Sequence, residues 1–87
     1  MRVQRCEVVD VLERDGETAV LLADGIVRLS ELSALIFDLT EEPTEVGDLA
    51  RELEARFGKP ADQTSLDATK DAVADLVHHG ILHELLS

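Results

Sequence analysis

An α+β fold is predicted for this 87-residue chain, with a three-stranded antiparallel N-terminal sheet followed by three helices. Three observations carry that expectation. Two Asp-Gly pairs, Asp15-Gly16 and Asp24-Gly25, bracket a short apolar run. Both residue types tolerate positive φ, so each pair marks a hairpin turn. A third apolar run, 26–29, leads straight into a helix that opens at Ser30. Beyond it, apolar residues recur at helical spacing in segments closed by Pro43, Gly58 and Gly80.

The first strand is placed at 7–13, within a stretch rich in β-branched residues that partly alternate. Asp15-Gly16 turns it into a second strand, 17–22, and Ala23-Asp24-Gly25 turns that into the third, 26–29. In a strand, alternate residues share a face. Val27 and Leu29 therefore lie on one side, Ile26 and Arg28 on the other. The first pair is expected inward, because Leu29 abuts the helix that packs on the same core.

Ser30 is the expected N-cap of the first helix, 31–40, whose apolar positions are Leu32, Leu35, Ile36 and Leu39. Pro43 ends it, since the residue before a proline avoids the α region. Thr44 is the expected cap of the second helix, 45–57. Leu49, Leu53 and Phe57 form its stripe, widened by Val46 and Ala50. Gly58 stands where a C-terminal glycine belongs, and 59–65 is a polar connector. Thr64 or Ser65 opens the third helix, 66–79, with Val73, Leu76 and Val77 on its apolar side and Gly80 as its stop. The tail 81–86 either pairs or packs back. Sheet first and helices after, the order is winged helix-turn-helix-like.

The length fits a single domain, 1–87. Phe37 and Phe57 are the only aromatics, so the core is expected to be aliphatic and there is little material for a base-stacking platform. The formal net charge is −11. Residues 1–29 hold six acids against four arginines, whereas residues 30–87 hold thirteen acids against four bases. An acidic helical half repels phosphate, which argues against nucleic-acid and anionic-membrane partners. One cysteine, Cys6, permits no internal disulfide and points to a reducing compartment. With no signal-like or membrane-length apolar segment, a cytoplasmic location is expected.

Catalytic and metal chemistry find little footing. His79 and His83 stand four apart, the spacing of two ligands on one helix face, with His78 and Glu84 nearby. Gly80 interrupts that face, so histidines favoured by a helix C-terminus are the better reading and no metal is expected. Cys6 has no oxyanion-forming turn beside it to make it a nucleophile. Asp67, Asp71 and Asp75 recur every four residues as a solvated stripe. Phosphate-binding, dinucleotide and CxxC motifs are missing from the sequence. No cofactor and no enzymatic activity are expected. A DNA-reading third helix is rejected as well, because such a helix needs Arg, Lys, Asn or Gln toward the bases. Here it carries three aspartates and only Lys70.

Four segments carry a resemblance: Ala-Val-Leu-Leu-Ala-Asp-Gly-Ile-Val-Arg-Leu-Ser, then Leu-Ser-Ala-Leu-Ile-Phe-Asp-Leu, then Pro-Thr-Glu-Val-Gly-Asp-Leu-Ala-Arg-Glu-Leu, then Asp-Ala-Val-Ala-Asp-Leu-Val-His-His-Gly-Ile-Leu. In order and spacing the chain resembles the PqqD-like family from about Val8 to Leu82. These are leader-peptide recognition domains of ribosomally made, post-translationally modified peptide (RiPP) pathways. The junction reads Leu29-Ser30 where many relatives have Leu-Asn, and the strand lacks their usual aromatic. The length resembles the discrete proteins of lasso-peptide clusters and of quinone-cofactor pathways.

The resemblance implies a non-catalytic peptide chaperone. A precursor's leader would add as a strand along Ile26, Val27, Arg28 and Leu29, with the third helix as the opposite wall. Helical angles place Val73, Val77 and Gly80 toward the core centre. Thr69, Ala72, Leu76 and His79 then form the candidate wall, and the flank with Lys70 and Ala74 is the alternative. The implied partners are the leader peptide and a separate modifying enzyme or leader peptidase. The open edge also leaves room for a homodimer through the exposed strand. Two rivals remain at this level: a winged-helix transcription regulator, and a small antitoxin-like or structural interaction partner.

Overall fold

Both residues of the Asp15-Gly16 pair adopt positive φ, 54° and 80°. This tight turn joins β2 (Asp10–Arg14) to β3 (Glu17–Leu22), with Arg14 opposite Glu17. The second turn lies one residue earlier than its Asp-Gly pair implies. Leu22 pairs with Gly25, so Ala23 and Asp24 make the turn and Gly25 already belongs to β4 (Gly25–Leu29). The order β2-β3-β4 is the expected antiparallel meander.

A second sheet was not foreseen as such. The computed structural model describes residues 1–86, and in it the N-terminal run divides. Arg2–Arg5 forms β1, the segment 6–9 bends away, and β2 follows only at Asp10. The Cys6 amide donates to the Ile81 carbonyl and the Val9 amide to the Leu21 carbonyl, so the bend ties the two sheets together. β1 is flanked by the two-residue β5 (Thr44–Glu45) and by β6 (Leu82–Leu85), in the order β5-β1-β6. The apolar tail thus pairs, with Val3 opposite Glu84. Val3, Ile81 and Leu82 are essentially inaccessible, and burying each of them contributes about 1.5–3 kcal/mol.

Three helices complete the fold: α1 (Glu31–Leu39), α2 (Val46–Phe57) and α3 (Ser65–His78). Ser30 caps α1 as expected, accepting from the Ser33 amide at 3.1 Å. Thr40 closes it, its buried hydroxyl donating to the Ile36 carbonyl at 2.8 Å. Thr44 does not cap α2. It lies in β5, where its hydroxyl donates to the carbonyls of Leu39 and Glu42, and Glu45 takes the cap position without a side-chain bond. The core joins Val20 and Leu29 of the meander, Ile36 and Phe37 of α1, Val46, Leu49 and Leu53 of α2, and Val73 and Leu76 of α3. Phe57, expected in the α2 stripe, is 44% exposed at the last turn, where the helix has outrun the core.

Candidate functional site

β4 is an edge strand, hydrogen-bonded to β3 on one side only. Its outer backbone donors and acceptors are therefore free to pair with another strand. Its alternation follows the sequence reading. Leu29 is buried and Val27 half-buried, whereas Ile26 is 58% exposed and Arg28 is exposed. Across the meander, Arg28 stands beside Ala19 and then Leu12, and Ile26 beside Leu21.

The orientation of α3 departs from the helical-angle estimate. Thr64 caps the helix, accepting from the Asp67 amide at 3.1 Å. The face turned to the core carries Thr69, Val73 and Leu76, with Ala72 half-buried beside them. Thr69 tolerates burial because its hydroxyl donates to the Ser65 carbonyl at 2.7 Å. Of the sequence-derived wall, Thr69 and Leu76 are thus core residues in this fold. His79 remains exposed at the C-cap, its Nδ1 2.8 Å from the Asp75 carbonyl oxygen. Val77, expected inward, is 40% exposed. The helix is turned because a bonded threonine can share the buried face with Val73 and Leu76, a substitution that apolar periodicity does not register.

The exposed flank of α3 carries Leu66, Lys70, Ala74 and Val77. Leu66, Lys70, Val73 and Val77 are spaced i, i+4, i+7 and i+11, one continuous face. Ser65, Ala68 and Thr69 instead meet Leu53 and Phe57 across a small cavity, so α2 covers the other flank. Two contacts fix how α3 and β4 run. A methyl group built on Gly80 would lie 3.9 Å from Leu22 Cδ1, which sets the β3–β4 turn at the C-terminal end of α3. At the opposite end Leu32 of α1 borders the same cavity as Ser65 and Thr69. β4 and α3 accordingly run antiparallel, with α1 packed against both. Leu66 and Val77 were missed in the sequence as candidates; the signal was present as two large apolar residues on the side carrying Lys70.

The family model for Coenzyme PQQ synthesis protein D (PqqD) matches residues 17–82, from the first residue of β3 to the first of β6. The chain belongs to the PqqD family. No curated protein and no solved structure shows a significant match to it. PqqD-family proteins are non-catalytic accessory proteins of RiPP biosynthesis that bind peptide, and the family is that of the RiPP recognition elements. The match takes in β4 and α3 entire, while β1 and β2 lie outside it.

The remaining reactive groups of this PqqD-family chain are scattered. Burial pushes the Cys6 thiol up from its ordinary value, away from the reactive thiolate. His79 ends α3 whereas His83 lies on β6, so the two share no helix face. Among the described residues no three His, Cys, Asp or Glu side chains gather into a metal-holding group. A broad depression bordered by Leu35, Asp38, Arg56 and Phe57 includes Leu29 of β4 but no residue of α3. Among the described residues no helix is long and apolar enough to cross a membrane.

Proposed function

We propose that this chain captures the leader peptide of a ribosomal precursor by strand addition to β4 and delivers it to a separate modifying enzyme or leader peptidase. The observation that carries this reading is the pairing of an open strand edge with an exposed apolar helix flank. Backbone hydrogen bonds along Ile26, Val27, Arg28 and Leu29 give sequence-tolerant affinity, and side-chain pockets give selectivity. Inward-pointing residues of the added strand meet the α3 wall. Leu66, Lys70 and Val77 supply its outer surface, and Thr69 and Leu76 support it from beneath, while Ala72 and His79 fall on the opposite flank of the helix, outside this wall.

The test is a titration of isotope-labelled protein with synthetic leader segments of precursors encoded beside its gene. Amide shifts are expected along 26–29 and on α3 between Leu66 and Val77. Saturable binding whose shifts fall on the β5-β1-β6 sheet instead would refute the site.

A further inference from the structure

Arg28 is exposed on the outer face of the edge strand; its row across the meander holds Ala19 and Leu12, and the nearest carboxylates, Glu17 on the diagonal and Asp15, share a shallow depression with it and with Arg14. Among the described residues it makes no ion pair, as is also true of Arg2, Arg14 and Arg56, whereas Arg5, Arg51 and Lys59 pair with Glu41, Asp48 and Glu54. Lys70, exposed on α3, likewise makes no ion pair among the described residues. Arg28 is therefore a free cation on the open edge of a chain of net charge −11.

We infer, given strand addition at β4, that the bound peptide carries an aspartate or glutamate at the position in register with Arg28, within an otherwise apolar, neutral or basic segment. An added strand continues the alternation of the sheet. Its residue opposite Arg28 shares the outer face at a Cβ separation of about 5 Å, where opposite charges attract and like charges repel. The adjacent positions turn inward, beside Val27 and Leu29, and are apolar. The position opposite Ile26 is also apolar. A peptide acidic throughout is disfavoured, because the net field of the protein repels it at long range. The carboxylate is thus a register marker: slipping the peptide by one residue turns it toward the apolar interior.

The experiment is a parallel selection of displayed random ten-residue peptides on wild type, Arg28→Glu and Arg28→Gln, each first shown to melt like wild type. Wild type is expected to enrich Asp or Glu at one position of an alternating apolar frame. Arg28→Glu should enrich Lys or Arg at that same position, and Arg28→Gln neither. Exchanging the selected peptides between wild type and Arg28→Glu should weaken binding about tenfold. Binders whose charge preference is the same on all three proteins overturn the charge rule alone, leaving Arg28 as a guard against edge-to-edge aggregation. A selection that yields no binder to any of them overturns strand addition, and the charge rule with it.

Discussion

Leu76 and Val77 are adjacent in sequence and opposite in consequence. Leu76 is 2% exposed and packs in the core cluster, so Leu76→Ala should cost about 2–5 kcal/mol in urea melts. Leu76→Glu would set a carboxylate in that core and report on folding rather than on peptide contact. Val77 stands on the exposed flank, and Val77→Asp should leave stability within about 0.5 kcal/mol. If the flank lines the peptide site, the same change should weaken leader binding about tenfold by calorimetry, while Asp71→Ala should bind like wild type. Unchanged binding by folded Val77→Asp would remove this flank from the wall. Cys6 gives a separate test: with its thiol shifted upward by burial, alkylation by iodoacetamide at pH 8 should be slower than that of free cysteine.

At the scale of elements, α3 is both a core helix and the candidate wall, so its anchoring governs both properties. The Thr64 side chain satisfies an otherwise free amide at its N-terminus, and Thr64→Ala should cost about 1 kcal/mol. The loss is read from a denaturant midpoint, with Thr64→Ser restoring most of it. The helices and the meander were legible because each carries its own punctuation in caps, glycines and a proline. β1, β5 and β6 were not, since two to four residues give too short a pattern to read. Their pairing partners lie some forty and eighty positions away in sequence, as Arg2 opposite Glu45 and Leu85 records.

For the whole molecule, charge sets the simplest expectations. A net charge of −11 leaves few cations to displace counterions from phosphate, so no duplex DNA binding is expected at physiological salt. A micromolar mobility shift would contradict the peptide-adaptor reading. Zinc and a chelator should both leave the melting temperature unchanged, because His79 and His83 stand on different elements. A zinc-dependent rise that His79→Ala with His83→Ala abolishes would contradict that placement.

Composition, turn chemistry and apolar spacing by themselves determined the α+β class, the meander with its open edge, the three helices and the family resemblance. They also set the faces of β4, because a period of two leaves only two choices. The rotation of α3 was left to the tertiary structure. An α-helix presents a continuum of faces, and here Thr69, with its hydroxyl internally bonded, joins the core that apolar periodicity alone assigns to Val77. The second sheet was likewise a tertiary outcome, because burying Val3, Ile81 and Leu82 together requires the two ends of the chain to meet. Local sequence carries no record of such a meeting.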